Sequence, residues 1–298
     1  MEEFRLKVFV SVAENLSFTK ASQQLFISQP AISRHIQELE VQYQIRLFER
    51  LGNKIQLTDA GCIFLEYSKR ILDEYGRLEY EMGLLRNNYS GELRLGASTT
   101  IAQYVLPPLL ALFIEKFPRI SLSLFSGNSA EMEKALQEHR VDLALVEGKT
   151  RQSSLKYTYF LHDELVAVVH TKSRWSEYDE LELADLYHIP LVLRERGSGT
   201  LDVLQVALQE HNIKLSDLPI RMYLGSTESI KLFLENSECM AILSVRSISR
   251  DLYSGKFKLL EIKGLSMFRE FNFVQLQGQD SGLPALFMEF ASRHNKML

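Results

Sequence analysis

Ser17–Glu40, SFTKASQQLFISQPAISRHIQELE, is the stretch from which the rest of this chain can be read. It holds two helix starts in close succession, Ser17 before Phe18 and Ser28 before Gln29, each offering a hydroxyl to the free N–H groups of a first turn. The first helix is expected over about Phe18–Phe26, burying Phe18, Ala21 and Leu25 at spacings of three and four. The second runs from Gln29 to about Tyr43. Pro30 sits in its first turn, where a missing N–H costs nothing, and Ile32, Ile36 and Leu39 form its inward face. The other face carries Gln29, Ser33, Arg34 and Gln37, whose amide, hydroxyl and guanidinium groups match base edges and phosphates in the DNA major groove. An ordinary helical hairpin with a solvated polar face fits these features as well.

The flanking sequence favours the DNA reader. After Ile45, Leu47 and Phe48 comes Glu49–Thr58, ERLGNKIQLT, in which Gly52-Asn53 is a tight-turn pair between alternating residues. This predicts a two-stranded wing carrying Arg50 and Lys54 toward phosphate. Upstream, Glu2–Glu14 is an amphipathic helix whose Phe4, Val8, Phe9 and Val12 complete a three-helix core.

Together with RLFER at Arg46–Arg50 and LTDAG at Leu57–Gly61, the opening stretch resembles the amino-terminal domain of LysR-type transcriptional regulators, tightly over about the first sixty residues and more loosely beyond. In that family the positions matching Gln29, Pro30, Ser33 and Arg34 contact DNA, with wing cations on the backbone. The expected DNA-binding set is therefore Ser28, Gln29, Pro30, Ser33, Arg34 and Gln37, with Arg50 and Lys54 on the wing. His35 is open to two readings, a DNA contact or an exposed flank. One position departs from the family: Tyr43-Gln44 stands where Leu-Gly is usual, and a left-handed backbone there would cost Gln44 about 1 kcal/mol relative to Gly.

Composition sets bounds. At 298 residues and 46% hydrophobic content the chain can bury more than one core. No run of eighteen apolar residues exists, and MEEFRLKVFV has no cleavable signal pattern, so a cytoplasmic protein with no membrane partner is expected. Cys62 and Cys239 lie far apart without metal-ligand spacing and read as reduced thiols. The net charge of −4 excludes general electrostatic coating of DNA. A sequence reader needs only a few placed cations and a helix amino terminus aimed at phosphate.

The expected architecture is multi-domain: an all-α winged helix-turn-helix domain (1–58), a long linker and dimerisation helix with a hinge (59–90), and a two-lobed α/β effector-binding domain (91–298). Thr58 caps a helix read to about Asn88, in which Phe64, Ile71, Leu78 and Leu85 fall seven apart, with Tyr75 and Met82 adding to the stripe. Thirty residues span roughly 45 Å, longer than a small winged domain offers, so this helix is expected to pair two copies. After the turn-rich NNYSG at Asn87–Gly91, strands and helices alternate. Strands are expected at Glu92–Ala97, Ile120–Phe125, Val141–Val146, Leu155–Phe160 and Glu164–His170, with helices at Ile101–Phe117, broken by Pro107-Pro108, and Ser129–His139. A second unit has strands at Leu191–Arg194, Ile220–Leu224 and Cys239–Leu243, then late strands at Phe257–Ile262 and Phe271–Leu276. Its helices are Thr200–Asn212 and Ser229–Asn236, and Leu283–His294 closes the chain. The resemblance implies two lobes like those of a periplasmic binding protein, lobe 1 at about 91–162 and 269–298, lobe 2 at about 163–268.

In open α/β sheets ligands bind beyond the carboxyl ends of strands. Four strand-to-helix loops stand there: Ser98-Thr99-Thr100, Gly127-Asn128-Ser129, Gly197-Ser198-Gly199-Thr200 after Arg194, and Ser226-Thr227-Glu228. Hydroxyls and free N–H groups at helix starts suit a carboxylate or phosphate; any single such loop is more often a plain cap, but four at equivalent places point to a site. The effector-binding candidates are Ser98, Thr99, Thr100, Asn128, Arg194, Ser198, Gly199, Thr200, Thr227 and Glu228. Catalysis finds no support: the histidines lack metal spacing and GSGT lacks a hydrolase's strained serine turn, so no catalytic residue, cofactor or metal is expected. The partners expected are double-stranded promoter DNA, a small anionic metabolite, a second copy of the chain in a homodimer or homotetramer, and RNA polymerase. The competing readings are an enzyme-like domain fused to a DNA reader, and a ligand-independent repressor whose carboxyl-terminal domain only oligomerises.

Overall fold

The computed structural model describes residues 2–51, 54–85, 89–278 and 282–295. The chain divides into two compact units, Met1–Gly91 and Glu92–Leu298.

The first unit is built from α1 (Glu2–Asn15), α2 (Phe18–Leu25), α3 (Gln29–Tyr43), β1 (Phe48–Leu51), β2 (Lys54–Leu57) and α4 (Asp59–Leu85). Both expected caps form: Ser17 Oγ accepts from Lys20 N at 3.2 Å and Ser28 Oγ from Ala31 N at 3.3 Å. Val8, Phe9, Val12, Ala21, Ile32, Ile36 and Leu39 form the core with Leu47 and Phe48. Phe4 is not in it. It is 40% exposed, and its ring meets His35 edge-on with centroids 5.5 Å apart. Helix α2 stops a residue early because Phe26 takes a left-handed conformation, φ 55, and projects into solvent. At the end of α3, Gln44 adopts φ 53 and ψ 31; its N–H reaches Val41 O and that of Ile45 reaches Glu40 O, which completes a Schellman turn. Glu40 then accepts from the N–H groups of Leu47 and Phe48 at 2.8 and 3.2 Å, fixing where β1 begins. Strands β1 and β2 pair antiparallel from Phe48 opposite Leu57 to Leu51 opposite Lys54; the Gly52-Asn53 turn lies outside the described residues. Thr58 caps α4, Oγ1 accepting from Gly61 N at 3.0 Å. The last residues of the helix as expected, to Asn88, also lie outside the described residues.

The second unit comprises β3 (Gly91–Ser98), α5 (Thr99–Tyr104), α6 (Leu106–Lys116), β4 (Ile120–Gly127), α7 (Ser129–Gln137), β5 (Leu143–Glu147), β6 (Leu155–His170), β7 (Glu180–Leu181), β8 (Leu191–Arg194), α8 (Gly199–Glu210), β9 (Ile220–Leu224), α9 (Thr227–Leu234), β10 (Met240–Ser244), α10 (Val245–Tyr253), β11 (Phe257–Ile262), β12 (Phe268–Leu276) and α11 (Leu283–His294). Among the described residues the strand order is β4-β3-β5-β12-β6-β10-β8-β9, with β11 pairing beside β6 and β7 pairing with β11.

One strand joins the lobes. β6 runs unbroken from Leu155 to His170, where two separate strands were expected. Its first half pairs with β12 as part of lobe 1, and from Leu165 onward it pairs with β10 and β11 in lobe 2. Residues 161–163, left between the two expected strands, stay extended because they pair with Arg269–Phe271 of β12. β12 likewise begins three residues earlier than expected, at Phe268, because Phe268–Glu270 pair with His162–Glu164. The expected proline break falls at Val105, leaving Pro107 and Pro108 in the first turn of α6. Helix α10 was not expected; its short amphipathic VRSISRDLY is capped by Ser244 and buries Ser247 and Ile248.

Candidate nucleic-acid interface and effector cleft

Helix α3 keeps its apolar side inward and its polar side outward. Ser28, Gln29, Pro30, Arg34 and Gln37 are exposed and Ser33 is half-buried, so the expected DNA-binding residues of this helix share one accessible edge. The Arg34 side chain is 80% exposed and its Nε donates to Glu38 at 3.0 Å; Glu38 also pairs with Arg5 at 3.1 Å. His35 is half-buried against Phe4 and lies off that edge. The side chains of Arg50 and Lys54 fall outside the described residues. Along α4, Phe64 packs into its own unit against Phe9, at 4.8 Å between rings, whereas Ile71, Tyr75, Leu78 and Met82 are exposed, as are Ile63 and Tyr67.

In the second unit all four loops begin helices, and in each the cap is used. Ser98 Oγ accepts from Ile101 N, Asn128 forms a capping box with Glu131, Ser198 Oγ accepts from Thr200 N, and Ser226 Oγ accepts from Ser229 N. Ser98, Thr100, Ser198, Thr200 and Thr227 are buried. The loops come together in two places. Ala130 N donates to Gly197 O at 3.2 Å, which sets the start of α7 against the start of α8. Here the backbones nearly touch, since a Cβ on Gly199 would lie 2.0 Å from Glu147 O. Asp202 adds three bonds across the lobes, from Lys149 N, Thr150 N and Thr150 Oγ1. Elsewhere, Tyr104 at the end of α5 donates to Glu228 in α9, so Glu228 faces a different cavity, of about 980 Å³, from the one lined by Ser198 and Gly199, of about 810 Å³. Burial foremost, then the Glu228 carboxylate, pushes the Tyr104 hydroxyl pKa well above its ordinary range.

At the lobe junction lies a charged cluster whose Arg269, Asp163 and Glu147 the sequence did not single out. Arg269, on β12, is fully buried; its Nε donates to Asp163 Oδ2 at 2.7 Å and its Nη1 to Thr200 Oγ1 at 3.0 Å, with Glu147 Oε1 at 3.4 Å. Asp163 also accepts from Ser244 Oγ at 2.7 Å, and Arg246 approaches it at 3.7 Å. Arg194, equally buried, pairs with Glu195 and reaches Gly225 O. Arg194 Nη1, Arg269 Nη2, Glu147 Oε2 and Thr99 Oγ1 are among the buried side-chain atoms that have no partner among the described residues. An arginine among the phenylalanines of FREFNFV, and a glutamate closing the apolar strand LALVE, were the available signals for Arg269 and Glu147.

Two family models cover this chain: the bacterial regulatory helix-turn-helix protein of the lysR family over residues 4–62, and the LysR substrate binding domain over residues 86–296. The chain belongs to the LysR family of transcriptional regulators. The HTH-type transcriptional regulator CysL of Bacillus subtilis is 30% identical over 270 residues, covering 90% of this chain and 89% of CysL. Among solved structures, the CcmR regulatory domain of Synechocystis PCC6803 in complex with 2-PG matches with a TM-score of 0.63 at 25% identity, over 70% of this chain and 98% of that domain. Full-length CbnR, complexed with its target DNA, shares the fold at a TM-score of 0.66 and 23% identity, over 99% of both chains. This LysR-family chain therefore has a helix-turn-helix domain for DNA and a two-lobed domain for a ligand. Among the described residues, no helix is long and apolar enough to cross a membrane, and no group of three His, Cys, Asp or Glu residues is placed to hold a metal ion.

Proposed function

We propose that this LysR-family regulator reads promoter DNA with the exposed edge of α3 and is controlled by a small anionic metabolite held where the two α/β lobes meet. For the anion, the supporting observation is the pair of buried guanidinium groups, Arg194 and Arg269, each with an N–H that no described residue accepts. Donors without partners inside a protein cost more than 1 kcal/mol each, and an anion offers the charge-assisted bonds that recover it. The 2-PG found with the CcmR regulatory domain, itself a small anionic metabolite, is consistent with this chemistry. Thr99 Oγ1 and the amino termini of α5 and α8 add donors near the same strand ends.

Two copies are paired by α4, whose exposed stripe from Ile63 to Met82 leaves large apolar side chains in water in a single chain. Pairing sets two copies of α3 a fixed distance apart, matching half-sites about one DNA turn, or a multiple of it, from each other. A tetramer built from two such dimers, contact with RNA polymerase at the promoter and residence in the cytoplasm belong to the same reading. The anion acts by its different affinity for alternative arrangements of the lobes, which shifts the population of DNA-competent assemblies.

DNase footprinting on the promoter fragment upstream of its own gene tests the reader. Arg34→Ala and Ser33→Ala should each weaken the specific footprint while leaving the circular dichroism unchanged; a footprint insensitive to both overturns the assignment. Thermal unfolding with phosphate, sulfate and simple carboxylates tests the ligand site, since saturating binding raises the Tm. A Tm indifferent to every anion favours the ligand-independent repressor.

A further inference from the structure

The carboxylate that pairs with Arg269 Nη1 keeps an unpartnered acceptor, just as Arg269 keeps an unpartnered Nη2. Glu147, at the end of β5, has a side chain only 1% exposed, and its Oε2 bonds to no described residue, while its Oε1 lies 3.4 Å from Arg269 Nη1. The two orphan atoms are thus the second terminal atoms of groups whose first terminal atoms touch. Glu147 also lines the 810 Å³ cavity between the lobes, together with Ser129, Gly199 and Asp202.

Charge balance narrows what fits. Arg269 and Arg246 are already matched by Asp163 and Glu147, and Arg194 is matched by Glu195. A bare anion beside Arg269 would meet the buried Glu147 carboxylate with nothing to separate them, and like charges that close repel strongly in a poorly solvated site. A molecule with a hydrogen-bond donor next to its anionic group removes the conflict: the anion takes Arg269 Nη2, and the donor satisfies Glu147 Oε2. We infer that Glu147 selects, among small anions, those that also carry a hydroxyl or ammonium group, as in 2-hydroxy acids, phosphorylated polyols and amino acids. Glu147 is then a specificity residue of the lobe junction. This rests on the anionic effector proposed above and adds the second group the effector must present. A water bridging the two atoms is the competing occupant.

The test measures binding of matched probes to the full-length protein by isothermal titration and thermal shift: acetate against glycolate and glycine, and methyl phosphate against glycerol 3-phosphate. The donor-bearing member of each set should bind at least tenfold more tightly, and whether glycolate or glycine leads separates hydroxyl from ammonium. In Glu147→Gln, which removes the charge and places an amide donor in the site, acetate and methyl phosphate should gain affinity and the discrimination should fall to within about twofold. Glu147→Asp keeps the charge beside Arg269 but withdraws the carboxylate by one methylene, and should also lose discrimination; it serves if the Gln variant does not fold. Equal binding of matched probes to the unmodified protein, or discrimination that survives both substitutions, overturns the inference while leaving an anion site in place. Failure of every probe, plain anions included, overturns the anionic effector itself.

Discussion

Replacing Gln44 by glycine should stabilise the DNA-binding unit. Gln44 occupies the left-handed region, φ 53 and ψ 31, at the residue that ends α3, with both Schellman hydrogen bonds formed. An L-residue there sacrifices about 1–2 kcal/mol to contact between its Cβ and the following carbonyl. Glycine escapes that contact but has more freedom to lose on folding, which returns about 0.5–1 kcal/mol. Because the Gln44 side chain is exposed, little packing is lost. The net gain is about 1 kcal/mol, or about fivefold in the opening equilibrium of this unit. Hydrogen exchange at the buried Ile36 and Leu39 segment of α3 reads that equilibrium directly. Protection there should rise about fivefold in Gln44→Gly, while the unfolding of the other unit, followed by the fluorescence of the chain's single tryptophan, Trp175, stays unchanged. Gln44→Ala keeps a Cβ and should show no comparable gain. If the glycine variant is no better protected than the unmodified chain, or no better than the alanine variant, left-handed strain at α3's end is not what limits this unit.

Other substitutions probe the remaining joints. Gly61→Ala would place a Cβ 2.1 Å from Leu47 O, a backbone atom that also accepts from Thr58 N, so urea unfolding should show the DNA-binding unit destabilised by about 3 kcal/mol and its footprint weakened. Arg269→Met leaves the buried Asp163 and Glu147 without their shared cation, and should cost the second unit about 3–5 kcal/mol in a urea titration followed through Trp175. Glu238 accepts from Arg174 N at 2.9 Å and Ser173 Oγ at 2.8 Å, and the backbone N–H foremost holds its carboxyl pKa below the ordinary range. A lowered folded-state pKa adds stability that is present above the unfolded value, about 4.3, and is lost as pH falls through the folded one. Glu238→Gln should therefore melt earlier than the unmodified protein at pH 7, with the gap closing as the pH falls below about 4.

What the amino-acid sequence determined by itself is local: helix starts, helix faces and turn residues, because a cap or an apolar spacing acts within one or two turns of chain. Ser17, Ser28, Thr58 and the Ile32, Ile36, Leu39 face were legible for that reason, as was the possible left-handed position at Gln44. The four strand-to-helix loops were legible as helix starts, but whether they converge depends on how two lobes meet. Only the tertiary structure set the start of α7 against the start of α8, turned Glu228 toward Tyr104 instead, and displaced Phe4 from the core. The charged cluster follows the same logic: Arg269 lies 106 residues along the chain from Asp163, and it is buried there only because pairing of β12 with β6 and β5 brings Asp163 and Glu147 to it. Long-range pairing supplies both the burial that makes those charges costly and the partners that make them tolerable, and neither is written in any single stretch of residues.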